Sequence, residues 1–302
     1  MLIAIIGNPG KPDLPAAVAA LLDILDRRGV PVMLFEGIRQ ELGGVASQRA
    51  FGSYAELRAN ATYAIAFGGD GTMLAASRAL AGSGIPLLGV NLGKLGFLAE
   101  FSVAALSATI DELLAGECRI VERLLLQATF PDLPEQEPMI ALNDIVFDKR
   151  GAGLMMQMET FINGDFLGAY RADGLILATP TGSTAYSLAV GGPVVVPSAQ
   201  VIVMAPIAPH MLTARPVVVP DTAVIEVRPI AQHDGETATI IADGQVYRNL
   251  PMPLRVCITR YQQTAALVKS SATTYFDVLR AKLLWGEEVR TARHEAKEGS
   301  HR

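Results

Sequence analysis

A strand-like run, Tyr63-Ala64-Ile65-Ala66-Phe67, leads straight into Gly68-Gly69-Asp70-Gly71-Thr72, and a helical pattern begins at once. Glycines at such a turn let backbone N–H groups approach phosphate oxygens, and the helix N-terminus adds a favourable dipole. The carboxyl end of a strand is also where open parallel sheets bind ligands. Gly68, Gly69, Gly71 and Thr72 therefore read as a phosphate loop with one carboxylate, Asp70, set among them. That carboxylate has two natural uses: holding a cation, or accepting a hydroxyl proton during phosphoryl transfer. The structural alternative is a tight turn in which Asp70 caps the helix. Two better-known phosphate loops do not fit. Gly10-Lys11 is followed by Pro12, which lacks the hydroxyl of a GxxxxGKS or GxxxxGKT loop, and the first strand continues into Gly7-Asn8-Pro9-Gly10 rather than GxGxxG. An ordinary dehydrogenase dinucleotide fold is thereby disfavoured.

Three further stretches carry polar chemistry. Gly89 to Phe97 contains Asn91, Gly93, Lys94 and Gly96, a second glycine loop after the next strand that could wall the same cleft or be a plain sheet-edge loop. Residues 171–193 run from Arg171-Ala172-Asp173-Gly174 through an apolar strand into Thr179-Pro180-Thr181-Gly182-Ser183-Thr184-Ala185-Tyr186-Ser187 and end in Gly191-Gly192-Pro193. Small side chains leave room for a ligand, while hydroxyls and backbone groups supply hydrogen bonds. Tyr186 could bond a ligand or pack in a core. Asn143-Asp144 is a polar turn before a strand, and Asp243-Gly244-Gln245 reads as a hairpin tip.

The elements that position these residues fall into two groups. Strands over 2–6, 31–35, 63–67 and 86–90 are continuous apolar runs, with helices over 14–27 and 72–80 between them. Such alternation means a parallel sheet covered on both faces. Ser102 is expected to N-cap a helix running to about Leu114. From Arg119 to Val268 the pattern changes to many short strands, among them 156–162 and 166–170 around the turn Asn163-Gly164-Asp165, then 201–205, 217–219, 223–227, 237–242 and 254–260. These predict a β domain of sandwich or similar type. A helix over 275–285 is expected to pack back on the first domain, and the charged tail from Glu287 is assigned no chemistry. The expected architecture is α/β plus all-β, with an α/β domain of residues 1–101 completed by 270–302 and a β-rich domain of 102–269.

Composition narrows the class. The chain has 302 residues, half of them apolar and 18% charged, so it can bury a core and is not disordered. Its net charge is −5, from 25 Lys and Arg against 30 Asp and Glu. Non-specific nucleic-acid binding needs clustered cations, so no nucleic-acid partner is expected. The most apolar region, 194–220, is broken by Pro197, Pro206, Pro209, His210 and Arg215, so no membrane partner is expected either. Cys118 and Cys257 are the two cysteines and are expected as buried thiols in a cytoplasmic protein. The histidines, His210, His233, His294 and His301, are scattered and suggest no zinc site.

Taken together, these motifs resemble the bacterial NAD kinase family over most of the chain. The resemblance rests on Gly68-Gly69-Asp70-Gly71-Thr72, on residues 91–98, on Asn143-Asp144 and on residues 173–193. It rests also on Pro209-His210 with Ala214-Arg215-Pro216, on Asp243-Gly244-Gln245, and on the ending from Tyr275-Phe276 to Trp285-Gly286. The GGDG loop is shared with lipid kinases and phosphofructokinases; residues 179–186 with Gly191-Gly192-Pro193 are the specific part. The resemblance implies transfer of the terminal phosphoryl of ATP to the adenosine-ribose 2′-hydroxyl of NAD, giving NADP, with Mg²⁺ or another divalent cation. By position Asp70 matches the family's proton acceptor, with Gly71 beside it, and Asn143 and Asp144 match the pair that holds NAD. Asp173 and the run Thr184, Ala185, Tyr186, Ser187, Leu188 and Ala189 match positions lining the dinucleotide site; Arg171, Ala208 and Gln245 match further binding positions. The resemblance also implies a homodimer or homotetramer, as is usual in the family, whose NAD site can include a neighbouring subunit. Two departures stand out: Asp144 where Glu is commoner, and Ala189 where many members have Ser.

Elementary chemistry agrees. An alcohol is a poor nucleophile near neutral pH, so a base must take its proton as the O–P bond forms, and positioning supplies most of the rate. Two other readings remain at this level: a lipid or sugar kinase sharing the GGDG loop, and a non-catalytic NAD(H)-binding regulatory module.

Overall fold

The computed structural model describes residues 1–93, 96–149, 155–233 and 235–285. Lys94 and Leu95 of the second glycine loop, Gly286 and the charged tail lie outside the described residues. The chain divides into two compact units: one holds Met1–Met73, Pro86–Val121 and the chain from Leu267 on, the other Leu74–Ile85 and Glu122–Ala266.

The first unit is built on an eight-stranded sheet. Its order is Ala50–Gly52, Val32–Phe35, Ile3–Gly7, Tyr63–Gly68, Leu87–Asn91, Ala265–Lys269 and Arg119–Arg123, with Phe101–Ser102 pairing beside Leu87–Asn91. The strands from Ala50–Gly52 to Leu87–Asn91 pair in parallel. Ile3–Gly7 and the residues Ala64 to Gly68 are wholly buried, which explains why they read as unbroken apolar runs. The helix Leu14–Arg27 lays Leu14, Ala17, Val18, Leu21, Leu22 and Leu25 into that core. Each such leucine or isoleucine contributes about 1.5–3 kcal/mol by leaving water. Chain direction across the sheet reverses between Ile3–Gly7 and Tyr63–Gly68, the topological switch at which parallel sheets open a crevice for ligands. The turn carrying Asp70 leaves the sheet there.

One local expectation fails in this unit. Ser102 stands before a 3₁₀ turn, Val103–Ala105, and its hydroxyl caps nothing; the α-helix starts later, at Leu106–Ala115. The 3₁₀ turn tightens the entry so that the serine side chain is not at the start of the α-helix. The helix Tyr275–Leu283 begins with a reciprocal cap between Thr274 and Asp277 and buries Val278 and Leu279.

The second unit consists of two antiparallel six-stranded sheets. One runs Val217–Pro220, Val201–Ile207, Gly174–Ala178, Asp144–Asp148, Thr237–Ala242, Val246–Pro251. The other runs Asp165–Ala172, Met156–Ile162, Ile225–Ile230, Val256–Arg260, Leu126–Thr129, Met139–Ala141. Phe147, Leu177 and Ile240 of the first meet Met158, Val227 and Ile258 of the second in one core, so the β-sandwich expectation holds. Alternate residues of the first sheet face the other way. Val146, Ile176, Ala178, Val203, Ala205 and Ile241 form a smaller apolar patch, covered in part by Val190 and Val195. This outer face carries one of the two candidate sites.

Both cysteines are half-buried rather than buried. Among the described residues, no helix is long and apolar enough to cross a membrane.

Candidate active site

The sequence-predicted residues form two sets, one in each unit. In the first, Gly68 ends its strand and Asp70 is the first residue of the helix Asp70–Ala79, with Gly71 and Thr72 in its opening turn. Among the described residues, the Asp70 carboxylate bonds to a distant loop rather than to this helix. Its Oδ2 accepts the N–H of Phe97 at 2.9 Å, and its Oδ1 accepts those of Leu98 at 2.9 Å and Ala99 at 3.2 Å. The second glycine loop therefore serves as the cradle of the carboxylate. Gly96 is required for the approach: a Cβ there would lie 2.0 Å from Asp70 Oδ1. A carboxylate oxygen accepts about two hydrogen bonds. Among the described residues, Oδ1 takes two such bonds and Oδ2 takes one, which leaves Oδ2 room for another.

The second set lies on the outer face of the second unit's first sheet, where a cavity of about 300 Å³ is lined by Asn143, Asp144, Val146, Asp148, Ala185, Tyr186, Ile241, Asp243, Gly244 and Tyr247. Asp144, Val146 and Asp148 line it because alternate residues of one strand share a face. Its wall is formed by the 3₁₀ turn Gly182–Thr184 and the short helix Tyr186–Ala189. Tyr186 is 46% exposed and lines the cavity, so it is not a core tyrosine. Thr179 ties this wall to the strand end: its hydroxyl donates to the carbonyl of Leu142 at 2.6 Å and accepts the N–H of Gly182 at 3.0 Å. A Cβ on Gly182 would meet the Asn143 carbonyl oxygen at 2.0 Å, so the wall and the strand end touch through backbone.

Asp243 holds the floor. Its carboxylate accepts the N–H groups of Leu142, Asn143 and Asp144 at 3.1, 2.7 and 3.3 Å, and Arg78 Nη1 donates to it at 2.5 Å. The Asp243 side chain is fully buried. The other arm of the Arg78 guanidinium donates to Gln245 Oε1 at 2.5 Å. Asp144 has no such support. Among the described residues its carboxylate meets no donor, and burial, aided by the neighbouring Asp243 charge, pushes its pKa up to about 7.

Other predicted residues fall around this cavity. Thr184, Ser187, Leu188 and Ala189 belong to the same wall without lining it; Ser187 is buried, and Ala189 is exposed. Arg171, Asp173 and Ala208 gather at the far end of the strands. Asp173 N–H donates to the Ile207 carbonyl at 2.9 Å, and His210 N–H to that of Arg171 at 2.8 Å. Asp144 pairs with Ala178 and Asp148 with Gly174, so this end lies roughly 14 Å along the strand from Asp144. Arg171 and Asp173 are exposed, and Ala208 adopts φ +43°. Sequence reasoning missed Arg78, Asp148, Tyr247 and the carboxylate of Asp243. Period-two alternation after Asp144 could have found Asp148. Arg78 carried no signal, since its partner is 165 residues away.

The fold is that of the pyridine-nucleotide kinases. Yeast NADH kinase complexed with NADH aligns with a TM-score of 0.86 at 23% identity, covering 95% of this chain and 88% of that one. An NAD kinase from Archaeoglobus fulgidus in complex with ATP aligns at 0.72 and 24% identity, over 92% of this chain and 98% of that one. Sequence then settles the family. The ATP-NAD kinase N-terminal domain profile matches residues 3–118, and the C-terminal domain profile matches residues 142–270. The NAD kinase of Solibacter usitatus is 39% identical over 287 residues, 94% of this chain and 97% of that protein. That of Citrifermentans bemidjiense is 37% identical over 286 residues, 94% and 99%. The chain belongs to the ATP-NAD kinase family.

Proposed function

We propose that the protein is an NAD kinase, which transfers the γ-phosphoryl of ATP to the adenosine-ribose 2′-hydroxyl of NAD with Asp70 as the proton acceptor. The observation that carries this reading is the Asp70 carboxylate, held by three amides with one acceptor position left on Oδ2. In this reading the 2′-oxygen attacks phosphorus, the bond to the β,γ-bridging oxygen breaks, ADP departs, and the hydroxyl proton passes to Oδ2. Gly68, Gly69, Gly71 and Thr72 offer backbone and hydroxyl groups to the triphosphate.

The dinucleotide is held by Asn143, Asp144, Ala185 and Tyr186, which line the cavity. Thr184, Ser187, Leu188 and Ala189 shape its wall, and Arg171, Asp173, Ala208 and Gln245 extend the binding surface. Residues 1–101, completed by 270–302, form the α/β domain with the phosphate loop, and residues 102–269 form the NAD-binding domain. Among the described residues, no group of three His, Cys, Asp or Glu side chains forms a metal cage. That fits a Mg²⁺ or similar cation carried in by the triphosphate, because Mg²⁺ keeps most of its waters and binds chiefly through phosphates. When bound it neutralises charge on the transferring group. The reading includes a cytoplasmic homodimer or homotetramer.

The test is incubation of γ-labelled ATP with NAD. Labelled NADP is expected, and Asp70→Asn should lower turnover roughly 10²–10⁴-fold with folding intact. A regulatory module would yield no label, and a lipid or sugar kinase would label its own substrate in a panel instead. Near-normal turnover in the folded Asp70→Asn protein would refute the role of Asp70.

A further inference from the structure

Behind Asp70 lies a buried ion pair that the reaction itself does not use. Lys269 ends the strand Ala265–Lys269, and its side chain is 6% exposed; that of Glu100 is 9% exposed. Nζ of Lys269 donates to Glu100 Oε1 at 2.6 Å and to the carbonyl oxygen of Phe97 at 3.1 Å. That carbonyl belongs to the same peptide group as the N–H of Leu98, which donates to Asp70 Oδ1 at 2.9 Å. Ammonium, peptide and carboxylate thus form one chain of hydrogen bonds within the first unit. A cation on the carbonyl side of a peptide polarises it and strengthens the bond its N–H donates, all the more in a low-dielectric interior.

We infer that Lys269 is a positioning residue for Asp70, acting through the peptide that joins Phe97 to Leu98. Its charge pins Oδ1 in the amide cradle and leaves Oδ2 as the oxygen turned to the substrate. Glu100 holds the Lys269 ammonium at that carbonyl, through the bond to its Oε1 at 2.6 Å. The inference rests on the reading of Asp70 as proton acceptor. It adds that the carboxylate's orientation is set by a side chain that touches neither substrate.

The experiment is steady-state kinetics on the full-length double variant Lys269→Met, Glu100→Leu. It removes both charges together, because losing one alone would leave the other buried and unpaired. A kcat lowered by about five- to a hundred-fold, with KM for NAD and for ATP unchanged, is expected if positioning is lost. An unchanged kcat in the folded variant, or a loss that appears wholly in KM, overturns the inference. The wild-type amide NMR spectrum gives a readout that does not depend on the variant folding. Of the three amides on Asp70, Leu98 should have the proton furthest downfield; if it does not, the polarised peptide is absent and the inference falls. Asp70→Asn measured alongside separates the two claims. Retained turnover there sinks the proton-acceptor role, whereas retained turnover only in the double variant sinks the positioning role.

Discussion

Asp144 and Asp243 exchange two hydrogen bonds at the cavity floor, one between main chains and one from main chain to carboxylate. The Asp243 N–H donates to the Asp144 carbonyl at 2.9 Å, and the Asp144 N–H donates to Asp243 Oδ1 at 3.3 Å. Two carboxylates are thus held side by side; one is paired with Arg78, and the other meets no donor among the described residues. The latter faces the cavity. Burial and a like charge both favour its neutral form, so keeping it ionised is costly.

That cost should be measurable as stability. The Asp144 pKa of about 7 lies above that of an unfolded aspartate, about 3.9. Between those values the folded chain holds a proton that the unfolded chain has released. The associated stability is full below about pH 4, declines as pH rises, and is gone above about pH 7. Asp144→Asn should therefore unfold at higher denaturant concentration than wild type at pH 8, by up to about 4 kcal/mol. The gain should shrink steadily toward pH 4. Equal stability at pH 8 would show that ionised Asp144 carries no penalty.

The same titration should appear in binding. If Asp144 accepts hydrogen bonds from a ribose hydroxyl, its ionised form binds better, and KM for NAD falls as pH rises through about 7. Asp144→Asn should flatten that profile and weaken binding. A pH-independent KM in the wild type would remove Asp144 from the dinucleotide contacts.

Arg78 is expected to matter for folding more than its place on a helix suggests. Arg78→Met leaves the fully buried Asp243 without a cation, and breaking such a pair typically costs about 3–5 kcal/mol. Arg78→Lys should recover only part of this, since a lysine cannot hold Asp243 and Gln245 with one planar fork. Urea melts of the three proteins provide the comparison.

Two glycines should separate the two halves of the reaction. Gly96→Ala drives a Cβ onto Asp70 Oδ1, so kcat should fall about ten-fold or more while NAD still binds. Gly182→Ala drives one onto the Asn143 carbonyl, so NAD binding should weaken first. Calorimetric titration with NAD beside turnover distinguishes them, and the same defect in both variants would contradict the assignment.

Chelation of divalent cations should abolish turnover and leave NAD binding intact if, as proposed, the cation enters with the triphosphate. Loss of NAD binding on chelation would place the metal in the dinucleotide site instead.

Much of this was legible in the residues. Unbroken apolar runs such as Ile3–Gly7 and Tyr63–Gly68 announced a doubly covered parallel sheet, because only a strand buried on both faces can be apolar throughout. The turn expected over Asn163-Gly164-Asp165 is present but shorter: Asn163 and Gly164, with φ of +53° and +91°, form it, and Asp165 joins the strand. The glycine turn at Asp70 was equally plain. Local sequence failed at Ser102, where a 3₁₀ turn separates the serine from the helix it was expected to cap.

What the chain order alone decided, then, is which groups are present and which local shapes they adopt: a carboxylate among glycines, hydroxyls after an apolar strand, a polar pair before another. Short-range sterics and side-chain periodicity act within a few residues, so the linear text contains them. Only the folded molecule decided what each carboxylate meets. Asp70 finds the amides of Phe97 to Ala99, Asp243 finds Arg78, Lys269 finds Glu100, and Asp144 finds no donor among the described residues. Those partners lie far off in sequence, and in a buried site it is the partner that sets whether a charge is stabilised, pinned or left ready to act.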